Sequence, residues 1–175
     1  MARKLRNEEL GRIPPESVRN TEKEPLVIVL DNVRSMHNVG SAFRTADAFW
    51  ISRLILCGVT GTPPHREIEK TALGATATVE WEYFTTTQEA VQNLRNDGFR
   101  IYAVEQAEGS ISLQHFNAAS NKTALIFGNE VYGVDQEIVN ISDGVIEIPQ
   151  SGTKHSLNVS VSIGVVLWEL LRGRK

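Results

Sequence analysis

Cysteine is almost missing from this chain: Cys57 is the only one in 175 residues. An internal disulfide framework is therefore excluded, and a reducing, cytoplasmic setting fits. Long apolar runs are missing too. The longest, such as Leu26 to Leu30, are far too short to cross a bilayer. The opening MARKLRNEEL is positively charged but leads into no apolar segment, so a secretory signal is not expected. There is no G-x-G-x-x-G after the first apolar run, no G-x-x-x-x-G-K-[ST] and no G-x-S-x-G. A dinucleotide fingerprint, a phosphate-binding P-loop and a nucleophile elbow all drop out. His37, His65, His115 and His155 are scattered, with no H-x-x-x-H and no cysteine partner, so no metal is expected.

What remains is the composition of an ordinary globular domain, 41% hydrophobic and 22% charged. The net charge of −3 hides an uneven distribution. Residues 1–23 carry six Lys/Arg against four Asp/Glu, and residues 172–175 add three more basic groups. The body between them holds nine basic and seventeen acidic residues. Such a body argues against non-specific wrapping of nucleic acid over the whole surface, while basic ends can grip phosphate locally. The other reading of both ends is a solvated terminus.

Residues 1–24 are polar, with Pro14-Pro15 and no sustained apolar period, and read as an arm with a short helix around Arg3 to Leu10. The domain proper runs over 25–175. Leu26 to Leu30 is a continuous apolar run, as in a strand covered on both faces. Further strands are expected at Arg53–Cys57, Val79–Phe84, Arg100–Val104, Thr123–Phe127 and Val145–Ile148. Helical patterns fall between them at Asn38–Trp50, His65–Leu73, Thr86–Asn96 and Asp135–Asn140, and a last helix follows Asn158. Strands alternating with helices predict an α/β domain with a mostly parallel sheet flanked by helices. Ligands of such sheets lie outside the carboxyl ends of the strands. The loops that matter are therefore Asp31–Asn38, Val104–Gly109, Gly128–Gly133 and Pro149–Asn158.

Three stretches in these regions carry the chemistry. In HNVGSAFRTADAFW, Val39, Ala42, Phe43, Ala46, Phe49 and Trp50 share a helical face, and Arg44 points away from it. Gly40, one turn earlier, is read as clearing space over the arginine head, and Arg44 can equally be a surface residue paired with Asp47. In ALIFGNEVYGVDQE a strand ends at Gly128, where bare backbone would let a ligand approach. Glu130 there is either a solvated acid or an acceptor aimed into the same crevice as Arg44. In IPQSGTKHSLNVSVSIGVVLWELL, Ser156 and Asn158 occupy N-cap positions. Val159, Ile163, Val166, Leu167, Leu170 and Leu171 form the apolar stripe of the helix that follows. Ser160, Ser162 and Gly164 leave a small-residue face open to close packing.

In this order and at these intervals, HNVGSAFRTADAF, LIFGNEVYG and IPQSGTKHSLNVSVS resemble the three motifs of the SpoU (TrmH-type) RNA ribose 2′-O-methyltransferases of the SPOUT superfamily. KTALGATATVEWEY between them is similar as well, and the likeness spans roughly residues 26–172. The resemblance implies a C-terminal deep trefoil knot, which general rules of chain topology would not have suggested. It implies S-adenosyl-L-methionine as cofactor, held by Val104, Gly128, Ile148 and Leu157 largely through backbone groups. It assigns the activating role to Arg44, with Asn38, Glu130, Ser156 and Asn158 as the polar residues around it. It also implies a homodimer with the active site at the interface.

The implied reaction is an in-line displacement in which a ribose 2′-hydroxyl attacks the sulfonium methyl, with no metal required. Alignment and proton removal are what an enzyme can contribute. A free guanidinium keeps its proton at neutral pH, so an arginine in this position either assists a phosphate in proton removal or holds the phosphate and offsets developing negative charge. RNA is the expected partner, tRNA ahead of ribosomal RNA. Two readings of other classes stand beside this one: a catalytically silent knotted RNA-binding protein, and a flavodoxin-like small-ligand domain whose motifs are only caps and turns.

Overall fold

Along the first strand, β1 (Glu24–Asp31), Leu26, Ile28 and Leu30 face one side and Val27 and Val29 the other, and all five are buried. Successive strand side chains alternate between faces, so a continuous apolar run demands cover on both. The computed structural model supplies it, describing residues 2–14, 17, 22–118 and 122–172. Parts of the basic arm and the last three residues of the basic tail lie outside the described residues.

Among the described residues seven strands form one sheet, every pairing parallel: β1, β2 (Ile51–Cys57), β3 (Glu80–Phe84), β4 (Arg100–Val104), β5 (Ile111–Ser112), β6 (Thr123–Phe127) and β7 (Gly144–Glu147). Their spatial order is β3-β2-β1-β6-β4-β7-β5. Helices α1 (Met36–Ala48), α2 (Arg66–Ala72) and α5 (Val159–Leu171) contribute to the core on the Leu26 side. Helices α3 (Thr87–Asn96) and α4 (Gln136–Ile141) cover the Val27 side through Ala90, Val91, Leu94 and Ile138. The α/β class and six of the strands match the sequence reading. The seventh, β5, has only two residues, too few for any periodicity to announce it.

Two local readings change. Helix α1 ends at Ala48 rather than Trp50, because Trp50 turns to φ 59° and its indole Nε1 donates to the Glu22 carbonyl at 3.0 Å. Gly40 does not make room for Arg44. It is buried where α1 crosses α2, and a Cβ there would meet Thr71 Oγ1 at 2.0 Å and the Ile68 carbonyl at 2.3 Å. Its cost in helix propensity, about 1 kcal/mol against alanine, is offset by this close approach of two backbones. Cys57 is fully buried and burial pushes its thiol up to about 12, so it is core and not a nucleophile. No helix among the described residues is long and apolar enough to cross a membrane.

Candidate active site

From β1 the chain winds outward through β2 to β3 on one side, while later strands add on the other. The direction reverses between β1 and β6, where parallel sheets open a crevice at their carboxyl ends. The two strand ends there release Asn32–Ser35 and Gly128–Val134. Asn129 locks the two loops together. Its Nδ2 donates to the Asn32 carbonyl at 2.8 Å, and its Oδ1 accepts from the amides of Val131 at 2.8 Å and Tyr132 at 3.3 Å. Asn129 and Gly133 exchange backbone hydrogen bonds at 2.9 Å each, closing a tight turn with Gly133 at φ 70°.

Glu130 sits at the head of that turn and reaches the N-terminus of α1. Its Oε2 accepts from the Arg34 amide and its Oε1 from the Ser35 amide, both at 3.1 Å. Asn38 Nδ2 donates to Oε1 at 3.0 Å. Burial acts to push this carboxyl up, but the bonds from Asn38 and the two amides outweigh it, and Glu130 lies below the usual carboxylate range. An acid so held is a poor base and a good anchor. Asn38 continues the chain of contacts: its Oδ1 accepts from Asn158 Nδ2 at 3.2 Å. Asn158 in turn caps α5, its Oδ1 accepting from the Ser160 amide at 2.9 Å and the Ser160 hydroxyl at 2.7 Å. Capping and assembly of the site are the same side chain's work.

The other two loops join the cluster. Glu105, just after β4, accepts from the Val134 amide at 3.0 Å and from the Gln106 amide at 2.8 Å. Gln106 Nε2 donates to the His155 carbonyl at 2.7 Å, tying the loop after β4 to the loop before α5. Among the described residues the amides of residues 150–157 make no hydrogen bond within the chain.

Of the sequence-predicted residues, Asn38, Glu130 and Asn158 are thus joined in one network. Val104 is in register with Phe127 and with Ile146, so Val104, Gly128 and Ile148 cluster at the carboxyl ends of three adjacent strands. Ile148 packs against the core, while Leu157 is 40% exposed in the loop before α5. Ser156 is exposed and makes no hydrogen bond among the described residues. Arg44 stands apart. It is exposed on α1 and makes no hydrogen bond or ion pair among the described residues, and Asp47 instead accepts from Thr78 Oγ1 at 2.6 Å.

Packing by itself already requires glycine at position 128. A Cβ there would lie 2.0 Å from the Gly133 carbonyl carbon and 2.1 Å from the Val134 nitrogen, so the space above it is filled by the chain's own turn. Asn129, Asn32 and Glu105 were missed as organising residues. The signal available for Asn129 was its place at the head of a short turn closed by glycine, where an Asx side chain accepts from amides two residues on.

A family model described as the SpoU rRNA methylase family matches residues 25–168. A tRNA (guanosine(18)-2′-O)-methyltransferase of Thermus thermophilus is 32% identical, covering 91% of this chain and 80% of the relative. A 23S rRNA (guanosine-2′-O-)-methyltransferase, RlmB, of Neisseria meningitidis is also 32% identical over 89% of this chain, which spans 61% of that relative. Among solved structures, the AdoMet-bound rRNA methyltransferase from Sinorhizobium meliloti superposes with a TM-score of 0.80 at 29% identity. That match covers 89% of this chain and 59% of the Sinorhizobium chain.

Proposed function

The chain belongs to the SpoU rRNA methylase family, and from that premise we propose that it methylates a ribose 2′-hydroxyl of tRNA at a site organised by Asn38, Glu130 and Asn158. It is an S-adenosylmethionine-dependent RNA 2′-O-methyltransferase. The observation that carries the reading is the hydrogen-bonded chain from Glu130 through Asn38 to Asn158, which gathers three distant sequence motifs at the carboxyl edge of the sheet. The tRNA relative of Thermus, matched over the larger share of its own length, supports tRNA ahead of ribosomal RNA.

The residues present fit the cofactor. Val104, Gly128, Ile148 and Leu157 would hold it, with Ile148 anchored in the core and the unpaired amides of residues 150–157 available to polar edges. When bound, S-adenosylmethionine supplies an electrophilic methyl on sulfur. In the transfer, the bond from the 2′-oxygen to that methyl forms, the sulfur–methyl bond breaks, and the hydroxyl proton passes to solvent or to a phosphate oxygen. Arg44, with no partner among the described residues to hold it, binds the RNA phosphate as a fork and offsets negative charge growing on the 2′-oxygen. Glu130 is a positioning residue that fixes the start of α1, and Asn38 and Asn158 set the distance between α1 and α5. Ser156, exposed beside them, offers its hydroxyl to the substrate.

The C-terminal segment forms the trefoil knot. What supports this is the placement of β7 between β4 and β5, two strands joined directly by residues 105–110. That connection arches over the end of β7, and Gln106 clasps the emerging loop at His155. Residues 1–24 are an arm whose exposed Lys4, Arg6 and Arg12 meet RNA phosphate beside the catalytic domain of residues 25–175. The protein acts as a homodimer through the outer face of α5, where Val161, Gly164, Val165 and Trp168 line an apolar groove of about 480 Å³. No metal takes part.

Incubation of total RNA with the protein and labelled S-adenosylmethionine, followed by mass-spectrometric mapping, should place a single 2′-O-methyl nucleotide in tRNA. A label found only in ribosomal RNA would move the substrate, and no transfer to any RNA would remove the reading.

A further inference from the structure

The turn that carries Glu130 also carries two side chains with no place in the fold. Val131 is 69% exposed and Tyr132 80%, the latter the most exposed large hydrophobic residue among those described. Exposure of an aromatic ring in water is unfavourable, and nothing about the turn calls for one. Its closure is set by Asn129 and Gly133 through their paired backbone bonds, and by the Asn129 side chain, which accepts from the Val131 and Tyr132 amides. Packing of Gly133 against Glu105, and of the turn over Gly128, fixes its base. The anchors leave the tip rigid and its two apolar side chains outward. The Tyr132 hydroxyl makes no hydrogen bond among the described residues, so no polar contact explains it either.

Two residues before the ring, Glu130 is bound to Asn38 and to the amides that open α1. The backbone that carries the ring is thus anchored within two residues of the junction of the three motifs. Unpaired RNA bases are recognised by stacking on aromatic side chains, which requires no particular sequence because every base has a π-face. We propose that the Tyr132 ring, flanked by Val131, is the platform on which the RNA base of the methylated nucleotide stacks, so that the turn fixing Glu130 also fixes the base. This rests on the reading of the protein as an RNA 2′-O-methyltransferase. The platform binds base and not phosphate: it carries no charge, whereas Arg34, in the loop between β1 and α1, and Arg44, on α1, are exposed cations for the backbone.

Bulk tRNA and bulk ribosomal RNA serve as methyl acceptors for the unmodified protein and for Tyr132→Ala, Tyr132→Phe and Tyr132→Trp. The alanine variant should raise KM for the accepting RNA on the order of ten- to a hundred-fold, with phenylalanine and tryptophan returning it to within a few-fold. S-adenosylmethionine affinity by calorimetry and the thermal midpoint should not move, since the ring is exposed, belongs to neither core cluster and is not among the residues that would hold the cofactor. The slope of log affinity against log salt should also stay constant, because no phosphate contact is lost. An unchanged KM in Tyr132→Ala, or a changed salt slope, would overturn the inference. So would loss of self-association in sedimentation, which would give the ring to a second copy of the chain. Failure of the unmodified protein to methylate either RNA would instead remove the underlying function, a result distinct from these.

Discussion

Asn38 and Glu130 lie 92 residues apart in sequence and meet through a single 3.0 Å hydrogen bond from amide to carboxylate. Because Asn38 opens α1 and Glu130 heads the turn after β6, that bond sets how the two loops face each other across the sheet's switch point. All three donors to Glu130 favour its charged form, and its carboxyl lies below the ordinary value of 4.5. A lowered folded-state value means stabilisation that is present above the unfolded value and lost as pH falls through the folded one. Glu130→Gln should therefore lower the thermal midpoint at pH 6–7, and the difference should shrink as acid takes the pH below 4.5 and through the lowered folded-state value. Bonds to a charged group contribute about 1.5–3 kcal/mol when buried, and exposure reduces this to about 1 kcal/mol. At this chain length that is roughly 2–4 °C. A pH-independent difference between the two proteins would show that the charge is not what holds the turn.

Gly128→Ala tests the turn from the other side. The added methyl would overlap the backbone at Gly133 and Val134, and neither can move without pulling Glu130 away from Asn38. Overpacking of this kind costs about 1–3 kcal/mol, and methyl transfer should fall with it. Gly152→Ala is the control, because a Cβ there meets nothing within 4 Å and its φ is not positive. It should leave the thermal midpoint unchanged. Equal effects of the two substitutions would contradict the packing account.

How much of this was readable beforehand follows from which interactions are local. The run Leu26 to Leu30 announced a doubly covered strand, and the 3.6-residue stripe from Ile163 to Leu170 announced α5, because burial imposes its period directly on the sequence. The four loops at the carboxyl edge also followed from the parallel-sheet rule. Gly40 reads as clearing space over the Arg44 head and is instead a close backbone contact with α2, and Gly128 has, beside any ligand role, a close contact with the turn at Gly133. Nothing local distinguishes a glycine that clears space from one that fills it. Asn129 escapes for the same reason: its partner Asn32 lies in the loop after β1, 97 residues away and beyond the reach of any window along the chain.

Arg44 has an exposed head and no partner among the described residues, so its removal should cost little stability. Methyl transfer in Arg44→Ala should drop roughly a hundred-fold or more, the scale of losing one charged donor to a developing oxyanion. S-adenosylmethionine affinity should hold. Arg44→Lys keeps the charge but loses the planar fork, and should recover only part of the rate. Full activity in Arg44→Ala would eliminate both phosphate binding and assistance to proton removal as its role. A drop in cofactor affinity equal to the drop in rate would place the side chain at the methyl donor instead.

The outer face of α5 offers the sharpest test of assembly. Trp168 is 64% exposed, Val161 50% and Val165 38%, along one side of a helix whose opposite side is buried in the core. Charging that face in Trp168→Glu should leave the protomer folded while shifting sedimentation from dimer to monomer, with methyl transfer falling in parallel if the site is shared between copies. Gly164 gives an independent reading of the same face. A Cβ there meets nothing within 4 Å of its own chain, and alanine favours a helix over glycine by about 1 kcal/mol. In an isolated protomer Gly164→Ala should therefore raise the thermal midpoint by a few degrees. In a dimer packed through the small-residue face, the methyl meets the partner, and stability falls and becomes more dependent on protein concentration. A monomer at micromolar concentration in the unmodified protein, together with a stabilising Gly164→Ala, would remove the dimer from the mechanism.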